Sequence, residues 1–233
     1  MIIRIIDTET CGLPPDGSQI VEIATVDLVN EDGEWKRGRM WSSLVNPGRP
    51  IPPEASAVHH ITDDMVKDAP RFEDLPPFLE GADYRAAHNA KFDVGILAAN
   101  GAHGLADKPW LCTYKCGVLL YPAAPNHKNQ TLRYWLGLKL AEPEAALPHR
   151  ALGDAYVTAA LLRTYLRSAT VEEMVEATTR PVLLPKFVFG KHAMVPLKDV
   201  PLDYLSWIVG KGAEFDEDVL HTAKHYLAAG RAA

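Results

Sequence analysis

The chain opens on Ile2-Ile3-Arg4-Ile5-Ile6, a β-branched run that fits a strand far better than a helix. The run leads into Asp7, Thr8 and Glu9 before Cys11-Gly12-Leu13. Side chains alternate along a strand, so Asp7 and Glu9 leave the same face, next to one another. Two carboxylates held this close raise each other's pKa unless something positive lies between them. Hard divalent cations, which prefer oxygen donors, fill that role best. Taken alone, an Asp-x-Glu pair is more often two solvated acids. A metal reading therefore needs further ligands from the rest of the chain.

After a turn at Pro14-Pro15-Asp16-Gly17, Ile20 to Val29 reads as a second strand and Glu34 to Val45 as a third, joined through Asn30-Glu31-Asp32-Gly33. The opening is thus an antiparallel meander. A short helix is expected over Glu54–His59 and a further helical turn after Thr62. Arg85 to Asn89 predicts a short buried strand, followed by a helix that Gly101 stops. Asp93 falls in that helix's first turn, where the helix dipole by itself favours an acid. Another short strand is predicted at Trp110–Thr113, then helices to Leu120, over Gln130–Leu136 and over Ala155–Leu166. Asp154 opens the last of these, with His149 in the loop before it. Strands alternating with helices after an antiparallel start predict an α/β layer fold with a mixed central sheet flanked by helices.

Residues 1–168 read as the main domain, 169–185 as a linker broken by Arg180-Pro181 and Leu184-Pro185, and 186–233 as a small C-terminal module. The module is expected to hold a strand and turn at Phe187–His192 and helices at Tyr204–Gly210 and Asp218–Gly230. A net charge of −6 argues against general electrostatic attraction to nucleic acid, although a carboxylate-rich metal site would inflate that count. Three cysteines, Cys11, Cys112 and Cys116, form neither an even set nor a zinc spacing, which points to a reduced, cytoplasmic setting. No apolar run reaches the ~18 residues of a membrane span. Lys108, Lys115, Lys128, Arg133 and Lys139, with Tyr121, Tyr134 and Trp135 among them, fit either a phosphate-tracking strip with stacking aromatics or an ordinary solvated surface.

Asp7, Glu9, Asp93 and Asp154 each come from a strand end or a helix's first turn, positions that can converge on one edge of a sheet. Four carboxylates are a plausible set for two divalent cations ~3.5–4 Å apart, the arrangement that clamps the attacking and leaving oxygens of a phosphodiester. A histidine, with its ordinary pKa of ~6.5, suits the general base such hydrolysis needs.

Asp7-Thr8-Glu9-Thr10, His88-Asn89-Ala90-Lys91-Phe92-Asp93 and His149-(x)4-Asp154 resemble the three motifs of the DEDD 3′→5′ exonuclease superfamily, in its histidine-bearing branch. Ala57-Val58-His59-His60-Ile61-Thr62 resembles a His-x-Ile-Thr segment common there. Cys11-Gly12-Leu13 and Phe189-Gly190-Lys191…Pro201…Tyr204-Leu205-Ser206-Trp207 resemble the bacterial exonuclease X family within it. The resemblance implies a ribonuclease H-like fold over residues 1–168 and release of nucleoside 5′-monophosphates from 3′ ends. The implied substrate is DNA, with single-stranded or duplex ends and a role in repair; RNA is the alternative, and a binding protein without catalysis a remote one. It also implies Asp7, Glu9, Asp93 and Asp154 as ligands of two Mg²⁺ (or Mn²⁺) ions and His149 as general base. Thr10 and Leu13 would approach the terminal nucleotide, and His59, Asn89 and Phe92 would line its pocket. His60, His88 and Lys91 are expected to be structural or solvated. Two positions depart from the pattern: Pro14-Pro15 stands where more polar residues are usual, and Met194 near an expected glycine.

Overall fold

A computed structural model describes residues 1–13, 17–102, 104–105, 108–140 and 148–231. Five strands form one sheet in the order β3-β2-β1-β4-β5: β1 Ile2–Thr10, β2 Ile20–Glu31, β3 Glu34–Leu44, β4 Tyr84–Ala87 and β5 Trp110–Cys112. β1, β2 and β3 pair antiparallel, while β4 and β5 continue parallel to β1. The sheet is therefore mixed, as expected from the sequence. The turn expected at Pro14-Pro15-Asp16 lies outside the described residues.

Helices α1 Pro53–His59, α2 Asp63–Val66, α3 Ala90–Ala99, α4 Thr113–Leu120, α5 Asn129–Trp135 and α6 Ala151–Tyr165 follow in order. Alternation along β1 divides them between two layers. Ile3 and Ile5 point to the face covered by α6, in one core with Val26, Ala155 and Leu162. Ile6 points the other way, into a core with Ile23 and with Ile96 and Leu97 of α3. Fully burying one such isoleucine contributes about 1.5–3 kcal/mol, so a one-residue slip of β1 is strongly disfavoured. The same alternation sends Asp7 and Glu9 toward α6, and Thr8 toward α3.

Beyond residue 168 the structure differs from the expected linker. Val171–Thr179 forms α7, opened by a capping box between Thr170 and Glu173. Its Val171 and Met174 are buried in the α6-side core, and the Thr178 hydroxyl accepts the Cys112 N–H at 2.8 Å. The amphipathic Val-x-x-Met-Val spacing is the signal for this helix, and covering β5 protects an exposed sheet edge. Residues 182 and 184 are tied to the last helix: the Val182 N–H donates to Asp218 and the Leu184 N–H to Thr222.

The expected strand at 187–192 is not formed; the residues on either side of it meet in an isolated antiparallel bridge, Lys186 to Pro196. Met194, where a glycine was expected, has φ of 63°, so the backbone keeps the left-handed conformation a glycine would ease. Helices α8 Leu202–Lys211 and α9 Glu217–Arg231 complete the chain. They share a core with Val118 of α4. Lys115 of α4 is buried there, bonding the Arg180 carbonyl at 2.8 Å and pairing with Glu217 at 3.1 Å. That removes Lys115 from any phosphate-tracking strip. No described helix is long and apolar enough to cross a membrane.

Candidate active site

Because β1 presents Asp7 and Glu9 to α6, the fourth residue of that helix, Asp154, meets them. One oxygen from each of the three carboxylates lies within 4.8 Å of the others. All three side chains are half-buried, reachable from solvent yet largely surrounded by protein. Burial, reinforced by Asp154, Asp93 and Glu9, pushes the Asp7 carboxyl well above the usual range. Burial likewise lifts Glu9 to about 8, with Asp154, Glu22 and Asp93 adding to it and Arg150 opposing. Asp154 is raised by burial and partly relieved by Gln130 and by the His149 N–H. Uncompensated like charge of this kind is a standing demand for a cation, and an all-carboxylate donor set suits a hard divalent one.

Asp93 arrives from the opposite layer. It sits in the first turn of α3, fully enclosed, with Oδ1 accepting the Thr8 hydroxyl at 3.1 Å. Burial raises it to about 7, with the Thr8 hydrogen bond pulling the other way. It contributes to the potential felt by Asp7 and Glu9, but it is not in the three-carboxylate cluster among the described residues.

His149 is solvent-exposed and has φ of 60°, an unusual conformation for a residue with a Cβ. Its N–H donates to Asp154 Oδ2 at 2.8 Å, which holds the loop against the acid cluster. Three residues beyond the sequence-derived set complete this arrangement. Glu22 stands opposite Glu9 in the β1–β2 register. It receives Arg150 through two hydrogen bonds, of 3.0 and 2.5 Å, and caps the Ala151 N–H at 2.8 Å. The Glu22–Arg150 pair thus pins the first turn of α6, between His149 and Asp154, to β2. The signal for it was an acid inside the otherwise apolar Ile20-Val21-Glu22-Ile23 run. Gln130 of α5 was also missed; its amide donates to Asp154 Oδ1 at 2.7 Å.

The remaining expected residues are distributed around this cluster. Thr10 is buried and its hydroxyl donates to the Gly12 carbonyl at 2.6 Å. Leu13 is 77% exposed. His59 is buried, with Nδ1 accepting the Ile61 N–H at 3.0 Å. Burial lowers its pKa, partly offset by the Thr10 backbone and Glu22. Asn89 is exposed in a left-handed conformation just before α3. Phe92 is half-buried against the α3-side core. His88 is structural, as expected: it bonds the Thr113 hydroxyl and the His127 carbonyl, both at 2.9 Å, and burial drops it to about 4. Lys91 pairs with Asp216 at 2.8 Å. All three cysteines are buried and free.

Residues 5–162 match the exonuclease family model. The chain is 39% identical over 231 residues to exodeoxyribonuclease 10 of Escherichia coli (strain K12), covering 97% of this chain and 99% of that protein. Its structure is similar to that of exonuclease X in complex with 5′ overhanging duplex DNA, at 41% identity and a TM-score of 0.64, covering 76% of this chain and 99% of the other. The nuclease domain of 3′hExo, a DEDDh family member bound to rAMP, shares the fold at 19% identity and a TM-score of 0.58, covering 72% of this chain and 92% of that one. A family match that takes in all three acid-bearing segments, together with a full-length relative, means that the chain belongs to the exonuclease family.

Proposed function

We propose that the protein is a 3′→5′ exodeoxyribonuclease that hydrolyses DNA one nucleotide at a time to nucleoside 5′-monophosphates. The observation that carries this reading is the convergence of Asp7, Glu9 and Asp154 within 4.8 Å in a chain of this family. Support for DNA comes from the similarity to an exodeoxyribonuclease and to an exonuclease bound to duplex DNA. Asp7, Glu9, Asp154 and Asp93 would hold two Mg²⁺ ions, or Mn²⁺ in their place. When bound there, the ions supply the positive charge that stabilises the phosphodiester's developing negative charge and eases deprotonation of the attacking water.

The chain's own groups do the rest. His149 takes the proton of that water on a ring nitrogen; its loop is held by the Asp154 carboxylate, and the exposed ring can pass the proton on to solvent. Glu22 and Arg150 keep the start of α6 in place, so that His149 and Asp154 stay in fixed relation. Leu13, with its exposed side chain, offers an apolar surface to the terminal base. Phe92 and His59 form walls of the nucleotide site, and Asn89 and Thr10 offer polar contacts to it.

The test is digestion of 5′-labelled DNA and RNA oligonucleotides with Mg²⁺, with EDTA, and with the Asp7→Ala and His149→Ala proteins. A metal-dependent ladder shortening from the 3′ end is expected. It should be slowed by about 10³-fold in Asp7→Ala and by at least about 100-fold in His149→Ala. Intact oligonucleotides in every lane, with the protein folded, would overturn the reading; faster cleavage of RNA would overturn its choice of substrate.

A further inference from the structure

The seam between the main layers and the C-terminal residues contains a groove of about 100 Å³. Its charged side chains are Lys128, just before α5, and Lys186, one partner of the isolated bridge, and no acid lines it. Among the described residues neither ammonium has an ion-pair or hydrogen-bond partner. That contrasts with Lys91 and Lys115, whose charges are consumed by Asp216, Glu217 and Asp218. Val188, 65% exposed, and Met194, 45% exposed, line the same groove as the two lysines. The groove also adjoins the acid cluster. Asn129 and Gln130, which follow Lys128 directly, bond the Asp154 carbonyl and carboxylate, and the neighbouring His127 carbonyl holds His88.

We infer that this groove binds the single-stranded DNA backbone upstream of the 3′-terminal nucleotide, with Lys128 and Lys186 contacting phosphates and Val188 and Met194 contacting sugars or bases. This inference rests on the proposed exonuclease function. A protein of net charge −6 repels a polyanion at long range, so a strand fed toward an acidic centre needs a local cationic path. Two unpaired lysines beside an exposed apolar surface, with no carboxylate among them, provide one. The C-terminal residues then act in substrate grip, since they supply Lys186, Val188 and Met194.

The experiment compares the full-length protein with a Lys128→Glu/Lys186→Glu variant on two substrates. One is the p-nitrophenyl ester of thymidine 5′-monophosphate, which has a scissile phosphodiester but no upstream strand. The other is an oligothymidylate of about 20 nucleotides, long enough to occupy a groove beyond the active centre. The double variant should cleave the ester with unchanged kcat and KM, while its KM for the oligonucleotide rises about tenfold. A Lys128→Gln/Lys186→Gln variant, without charge reversal, should lower the salt dependence of oligonucleotide binding by about 1.4 in log–log slope, the value for two single-strand phosphate contacts. Lys36→Glu changes net charge away from the groove and should leave both substrates unaffected. Oligonucleotide KM and salt slope equal to wild type in both double variants would overturn the groove, as would an equal loss in Lys36→Glu. Absence of activity on both substrates in the wild-type protein would instead overturn the exonuclease reading.

Discussion

The two ends of β1 handle buried charge in opposite ways. Near its start, Arg4 stands across from Asp27 in register and meets it twice, at 2.7 and 2.8 Å, while its remaining donors reach the Phe78 and Glu80 carbonyls. At its far end, Glu9 stands across from another acid, Glu22. Arg150 answers Glu22, yet among the described residues no basic side chain pairs with Glu9, Asp7 or Asp154, and their carboxyls are pushed upward. The same strand, paired to the same neighbour, is electrostatically closed at one end and open at the other. Closed networks serve structure, whereas an open one stores unfavourable energy that a ligand can relieve.

The strongest way to break this comparison is to remove one acid from each end. Asp7→Asn should reduce turnover by about 10³-fold and raise the melting temperature measured in EDTA, because a repulsive charge is gone. Asp27→Ala should do the reverse. It strands the buried Arg4 and should cost about 3–5 kcal/mol in denaturant unfolding, with turnover per folded molecule preserved. If both variants lost stability alike, the two ends would not differ in kind.

A smaller effect is expected where closed and open networks touch. Arg150→Ala should lower kcat about tenfold, roughly 1.4 kcal/mol of transition-state stabilisation. It leaves Glu22 as a second unanswered acid beside Glu9 and loosens the turn between His149 and Asp154. Arg150→Lys should recover part of kcat with little change in KM. An equal rise of KM in both would mean that Arg150 contacts the substrate instead.

The smallest expected effect is on pH dependence without metal. Glu9 at about 8 and Asp93 at about 7 lie above their unfolded values, so the folded state binds the extra protons. Their contribution is fully present below about pH 4 and is lost as pH rises through 7 and 8. In EDTA the melting temperature should therefore fall by on the order of 5 °C between pH 6 and 9, and saturating Mg²⁺ should reverse the fall by binding only the folded state. A flat profile in EDTA would mean that the acids are compensated from within the chain.

Much of this molecule could be read in one dimension, because its signals are local. A β-branched run, its turns and the glycine after α3 specify strands and helices through backbone preferences that act over a few residues. The acids Asp7, Glu9, Asp93 and Asp154 stood out because each terminates or begins such an element. Helix α7 was less legible, since nearby prolines masked a short amphipathic pattern whose stability comes from packing on β5. Glu22 left one local trace, an acid in an apolar run, but its pairing with Arg150 and the contact of Gln130 were not legible. Their roles depend on partners at sequence separations of 128 residues for Arg150 with Glu22 and 24 for Gln130 with Asp154. The sequence by itself determined which elements form and which of them carry carboxylates. Only the tertiary structure decided which charges are answered, because Coulombic and hydrogen-bond energies depend on distance in space. Lys115 and Lys128 are alike on paper, yet folding buries one against acids and leaves the other free at the groove.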